Sequence, residues 1–279
     1  MNNGIYELSD DGKTLLGVTD WNISEAVIPD GVTHIGLKAF WFCDALQSID
    51  IPNSVTYIGN CAFYECEALQ SIDIPNSVTH IGSLAFWFCD ALQSINIPNS
   101  VTYIGYEAFS RCEALQSIEV VEGNQYFAST DGVLFSKDLT QIIRYPQAKY
   151  CSQYTIPNTV THIGDSAFSY CEALQSIVIP NSVTHIGDWA FSECIALQSI
   201  VIPNSVTHIG YEAFSGCYAL QSIHIRITDI DSCCVKESAF YDIDVDNCIL
   251  YIPSGTRCAY RHHPVFGRFK NIEIDGSPY

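Results

Sequence analysis

The stretch from Ile51 to Asp73 reads IPNSVTYIGNCAFYECEALQSID, and at Ile74 it begins again. The same pattern starts at Ile28, Ile51, Ile74, Ile97, Ile156, Ile179 and Ile202, always in steps of 23 residues except across the interruption between Ile97 and Ile156. A fixed period in the twenties belongs to solenoids, in which one copy forms one coil that cannot bury its apolar side alone. The organisation expected is an N-terminal capping hairpin (1–27), four coils (28–119), a remodelled coil with an insert (120–155), three coils (156–224), and a degenerate coil with a C-terminal cap (225–279). All of it is read as one solenoid domain.

Within a copy, the positions that stay apolar set the phase. Ile51, Val55, Ile58, Ala62, Phe63, Cys66, Leu69 and Ile72 are expected to point inward. The run Leu69-Gln70-Ser71-Ile72-Asp73-Ile74 has the L-x-x-L-x-L form of a leucine-rich-repeat strand, burying Ile72 and Ile74 and exposing Ser71 and Asp73. Pro75 lacks the amide needed to continue the ladder and ends it. Val55–Ile58 reads as a second short strand. Gly59 reads as a turn into a brief helical or 3₁₀ segment around Ala62-Phe63-Tyr64. The fold class is therefore α/β but β-dominated: a leucine-rich-repeat solenoid of 23-residue coils with a parallel β-sheet on its concave face. Asp10-Asp11-Gly12 predicts a hairpin in the cap, and GVLFSKDLTQIIRY (Gly132 to Tyr145) predicts a related one. The stretch Val120 to Gly132 is expected to bulge as a loop.

The formal charge of −19, from 12 basic against 31 acidic residues, repels phosphate backbones and anionic lipid, so nucleic acid and membrane surfaces are poor partners. A basic or amphipathic polypeptide suits it better, although acidity also keeps an apolar stack soluble. No apolar run reaches the ~18 residues of a membrane span. MNNGIYELSDDGKT has neither a basic nor an apolar leader region, so no secretory signal is expected in the sequence as written. A monomer is expected.

Seven of the 13 cysteines (Cys43, Cys66, Cys89, Cys112, Cys171, Cys194, Cys217) share one repeat position. Stacked coils place such residues about 4.8 Å apart with parallel Cβ vectors, whereas a disulfide needs Cβ atoms about 3.8 Å apart and converging. They read as buried thiols acting as small hydrophobes. Cys61 with Cys66, and Cys233 with Cys234, fall outside that pattern.

The combination IPNSVTHIG–AF–C–ALQSI, with GVLFSKD…IIRYP at Gly132–Pro146 and LYIPSGT…AYR…F…FKNIE from Leu250, resembles the BspA-like (Treponema-type) leucine-rich-repeat family across nearly the whole chain. The resemblance implies a curved solenoid of a kind found in bacterial surface proteins that bind host proteins or other cells. It supplies no shared catalytic residues. The function expected is a non-enzymatic protein-binding or adhesion module, with an intracellular scaffold as the alternative.

Candidate binding residues follow from the phase. The exposed position after each LQSI runs Asp50, Asp73, Asn96, Glu119, then Val178, Val201, His224, a row that is acidic first and apolar later. It is suited to a basic or amphipathic polypeptide; a solvated face is the alternative, and a row of carboxylates does not enclose calcium. Trp41 and Trp87, beside Phe42 and Phe88, exceed what a coil's core needs and read either as interface anchors or as packing between coils. A second acidic row, Asp44, Glu67, Asp90, Glu113 and Glu172, follows the cysteines. His162, His185 and His208 form a column that does not converge as a metal site must. Cys258 with His262 and His263 is a weak metal cue. No phosphate-binding, zinc-protease or nucleophile-elbow motif is present, and every reactive residue recurs along a row where an active site needs one asymmetric cluster. No enzyme activity, cofactor or metal is expected.

Overall fold

The computed structural model describes residues 4–149 and 152–276. The first three residues of the predicted cap and Cys151 lie outside the described residues. The chain forms two units, Met1–Asp138 with Pro146–Lys149, and Leu139–Tyr145 with Tyr150–Tyr279.

In both units each 23-residue copy closes into one coil. Its inward positions are those read from the sequence: Val55, Ile58, Ala62, Phe63, Cys66 and Leu69 are fully buried, with Ile51 and Ile72 nearly so. Behind the Ala-Phe turn the phenylalanines stack from coil to coil, Phe40 on Phe63 and Phe63 on Phe86 at 5.2 Å, then Phe86 on Phe109 at 5.6 Å. The second unit repeats this through Phe168, Phe191, Phe214 and Phe240.

The first unit opens with the expected antiparallel hairpin, Tyr6–Leu8 against Thr14–Val18. Thr14–Val18 then pairs in parallel with His34–Ile35, and the ladder continues through Tyr57–Ile58, His80–Ile81 and Tyr103–Ile104. On the strand face Glu25–Val27 pairs with Ser48–Asp50, and Ser94–Ile97 with Ser117–Val120. The rung between them departs from expectation. Residues 71–74 keep the alternation of buried and exposed side chains but join neither neighbour as a strand. Asp50 and Asp73 put like charges on adjacent rungs, which opposes close pairing; the Asn96–Glu119 rung carries one charge and pairs normally.

In the second unit Gln141–Arg144, His162–Ile163, His185–Ile186, His208–Ile209 and Cys234–Val235 form one parallel ladder. Gln153–Thr155, Ser176–Val178, Ser199–Ile202, Ser222–Ile225, Ile249–Ile252 and Asn271–Ile274 form the other. Both ladders thus run on into the degenerate coil. The C-terminal cap places one α-helix, Arg257–His262, and anchors it through Tyr260, whose buried hydroxyl donates to the Ile227 carbonyl at 2.7 Å.

The third side of the coil is not the helical segment that the sequence suggested. Cys61 and Glu65 have φ of 55° and 57°, as do their counterparts in other coils within a few degrees. Two left-handed residues, four positions apart, thus recur in each coil. Alternate amides close tight turns, and those between them point out to the next coil: Cys61, Phe63 and Glu65 N–H donate to Ser83, Ala85 and Trp87 carbonyls at 2.8 to 2.9 Å. A 3₁₀ turn would keep all these bonds within the coil; the alternation makes a third ladder. The conserved-phase glycine has a different use from the one expected. Gly59 has no left-handed φ, but a Cβ there would lie 2.7 Å from the backbone of Gly36, so close approach of successive coils requires it.

The Val120–Gly132 stretch is also not a loop. Phe127–Thr130 pairs antiparallel with Val133–Ser136 around Asp131 (φ 51°) and Gly132 (φ 72°). Two left-handed residues in an Asp-Gly pair are the requirement of a type I′ hairpin. The Gly132 carbonyl accepts from Ile118 N–H at 2.8 Å, so the insert extends the strand face of the first unit. Asn124, fully buried, fastens it. Its amide nitrogen donates to Pro98 and Val101 carbonyls, and its oxygen accepts from Tyr126 and Phe127 N–H at 2.8 and 2.9 Å.

Candidate protein-binding surfaces

In the first unit Asp50, Asp73, Asn96 and Glu119 all project to solvent from the strand face. Beside the unpaired rung lies a groove of about 420 Å³ whose walls include Glu25, Val27, Asp50, Asp73 and Pro75. Glu119 is engaged by the insert, since Ser129 Oγ donates to its carboxylate at 3.2 Å. In the second unit Val178 is 57% exposed and Val201 is half-buried. His224 stacks on Tyr251 at 4.4 Å, and its Nδ1 lies 3.5 Å from an Asp275 oxygen, so the C-terminal cap holds it. Register extends this row to Thr155, Tyr251 and Glu273. The sequence reading missed these three because no LQSI precedes them, although Ile156-Pro157 and Ile252-Pro253 keep the Ile-Pro signature.

The aromatic edge lies on the turn side of the first unit. Trp41 and Phe42 are 38% and 40% exposed, and Tyr64, Trp87 and Phe88 are half-buried. Tyr64 stacks on Trp87 at 4.5 Å. Lys38 Nζ sits 3.8 Å over the Trp41 ring, and the Arg111 guanidinium lies 4.9 Å from the Phe88 ring centre. The position of Trp41, Tyr64 and Trp87 is filled in other coils by Ser110, Ser169, Ser192 and Ser215, all buried. A coil can therefore close with serine there; in the first three coils Trp41, Tyr64 and Trp87 pack against one another instead.

Along that edge run Asp44, Glu67, Asp90 and Glu113. Burial, then the Glu113 and Glu67 carboxylates, push the Asp90 carboxyl up to about 6, and its Oδ1 has no hydrogen-bond partner. Glu65 is likewise raised by burial and by Glu67.

The histidine column stacks as the phase predicts, His162 on His185 at 4.6 Å and His185 on His208 at 5.7 Å. Thr161 and Thr184 hydroxyls donate to the carbonyls of Thr140 and Thr161 and lie 2.7 and 2.8 Å from His162 and His185 Nδ1. Burial and the two flanking imidazoles lower the His185 pKa. Near the cap, His263 Nδ1 accepts from Val265 N–H, and Cys258 Sγ lies 3.7 Å from His262 Nδ1. Among the described residues no group of histidine, cysteine or carboxylate side chains is arranged to hold a metal ion.

The seven ladder cysteines are buried free thiols. Most donate to a carbonyl of the preceding coil, as Cys66, Cys89 and Cys194 Sγ do to Phe40, Phe63 and Phe168 O at 3.1 to 3.2 Å. Burial pushes Cys171 and Cys217 up to about 12 and leaves them unreactive.

A family model described as the BspA type leucine-rich repeat region matches residues 19–131 and 145–258, in six copies. The chain belongs to the BspA-type leucine-rich-repeat family. Solved structures of similar bacterial proteins agree. A leucine-rich repeat protein from Eubacterium ventriosum is 28% identical over 88% of this chain and 74% of that one, with a TM-score of 0.71. A leucine-rich cell surface protein from Faecalibacterium prausnitzii is 25% identical over 99% and 95%, with a TM-score of 0.58. The pneumococcal vaccine antigen PcpA, 21% identical over 98% and 83% with a TM-score of 0.67, shares the fold. A search of curated proteins found no match. BspA-type repeats form a scaffold that is generally non-catalytic, and leucine-rich-repeat proteins typically bind other proteins. Among the described residues no helix is long and apolar enough to cross a membrane.

Proposed function

We propose that this chain is a non-enzymatic protein-binding or adhesion module that engages a host or cell-surface protein. The observation that carries this reading is the contrast at one repeat position: buried serine in four coils, partly exposed Trp41, Tyr64 and Trp87 in three. Large, partly exposed rings are typical interface anchors. The row Asp50, Asp73, Asn96, Glu119 and the apolar row Val178, Val201 offer further contact. His224 belongs to the row but is held by the cap. A cell-surface role is supported by the Faecalibacterium relative, which is described as a cell surface protein.

The test is surface capture by the whole chain. Immobilised protein is exposed to a panel of purified extracellular host proteins and to intact cells, beside variants Trp41→Ala with Trp87→Ala and Asp50→Lys with Asp73→Lys. Saturable binding that either pair of changes weakens at least tenfold, with melting temperature held, supports the reading. Binding of no panel member, or binding indifferent to both pairs, overturns it.

A further inference from the structure

The partner's shape is written into the spacing of the aromatic edge. Trp41, Phe42, Tyr64, Trp87 and Phe88 make an apolar strip, and Asp44, Glu67, Asp90 and Glu113 run beside it with one carboxylate per coil. The rings directly behind the strip repeat at 5.2, 5.2 and 5.6 Å. An α-helix advances about 5.4 Å per turn. Same-side residues of an extended chain are instead roughly 6.7 Å apart, so an extended strand slips out of step by more than one coil in four. A helix lying along the coil axis stays in step over all four carboxylates, well within the reach of a lysine or arginine side chain.

Charge and chemistry agree with that geometry. Lys38 over Trp41 and Arg111 over Phe88 show that these rings accept cations on their faces. Carboxylates outnumber cations along the row: Asp90 faces Glu67 and Glu113, with Arg111 as the cation acting on it. A continuous strip occurs in the first unit; in the second its counterpart positions are broken by Ser169, Ser192 and Ser215, with Tyr170 and Tyr241 standing apart.

We propose that the turn-side aromatic edge of the first unit is the docking surface for a basic amphipathic α-helix of a partner protein. Its apolar stripe lies on Trp41, Phe42 and Trp87, and one lysine or arginine per turn faces Asp44, Glu67, Asp90 and Glu113. The inference rests on the protein-binding reading and narrows it to one surface and one class of ligand.

Three synthetic peptides of the same length and charge test it by calorimetry and tryptophan fluorescence on the full chain. One carries leucines and lysines on adjoining faces of a helix, the second scrambles that order, and the third has a central proline pair that prevents the helix. The first should bind at least tenfold more tightly than the other two. Trp41→Ala with Phe42→Ala should abolish that preference, and Glu67→Gln with Glu113→Gln should weaken the first peptide at least fivefold. Equal binding of all three peptides, or binding that survives both double variants, overturns the proposal. Should Trp41→Ala with Phe42→Ala still capture a panel protein at full strength, the docking surface is wrong while the protein-binding reading stands.

Discussion

Raising the pH should melt this protein through its cysteines. The ladder thiols are protonated in the folded chain because a thiolate has no water and faces carbonyl oxygens. Cys171 and Cys217 are pushed from 9.0 to about 12, and Cys194 between them is raised well above 9.0. Unfolded thiols ionise near 9, so above that pH the unfolded chain binds fewer protons than the folded one. Stability is then fully present below pH 9 and declines as pH climbs toward 12. For a folded value near 12, the loss at pH 10 is about 1.4 kcal/mol per thiol. Cys171 and Cys217 together remove about 3 kcal/mol, and Cys194 acts in the same direction, against the 5 to 15 kcal/mol that holds a typical domain. The melting temperature should fall on the order of 10 °C between pH 8 and pH 10, measured by circular dichroism in a phosphine reductant. Cys217→Ala lowers stability at pH 8 but should flatten the decline by one thiol's share. A melting temperature unchanged to pH 10, or a decline untouched by Cys217→Ala, refutes the reasoning.

The buried Arg144 guanidinium donates to the Ser166 carbonyl at 2.6 Å and to Ser169 Oγ and O, standing in for turn amides that the shortened coil before Pro146 lacks. Arg144→Met should cost about 2–4 kcal/mol, read by urea titration, because it strands buried acceptors. Asn124→Ala should cost about 2–3 kcal/mol by the same measure and increase proteolysis between Val120 and Thr130, since one side chain serves four backbone groups. Glu65→Gly should raise stability by roughly 0.5–1 kcal/mol, because residue 65 is left-handed at φ 57°, a conformation that costs any side chain; Gly216 already occupies that repeat position at φ 72°.

Side-chain phase was legible because one period governs it. Burial of Val55, Ile58, Phe63, Cys66 and Leu69 follows from which positions never turn polar, and the thiol row follows from stacking distance alone. Backbone detail was less legible where it depends on neighbouring coils. Nothing local marks Cys61 and Glu65 as left-handed; that hand is imposed by carbonyls in the next coil. The Asp131-Gly132 turn carried a readable hairpin signal, masked because the copy pattern had lapsed around it. Asn124 gave no signal, since an asparagine in an apparent loop is expected to face water. For the surfaces, exposure of Asp50, Asp73 and Val178 followed from strand alternation. The capture of His224 by Tyr251 and Asp275 did not, because its partners lie in the cap. Trp41 and Trp87 stood out in the sequence already; the burial of Ser169, Ser192 and Ser215 shows that a coil can close without a ring at that position.

Around the Ala-Phe turn the bridging amides, such as those of Cys61, Phe63 and Glu65, point to the coil that follows, and most ladder thiols point to the one before. Each block of 23 residues therefore carries a plug at one end and a socket at the other, both cut to the same pattern. A gene segment copied in tandem lands in a fitted seat and needs no new contacts to be accommodated. The shared AFWFCDALQSI at Ala39 and Ala85, two coils apart, has the form such copying leaves, and a chain built this way can lengthen by whole coils without redesigning the interior.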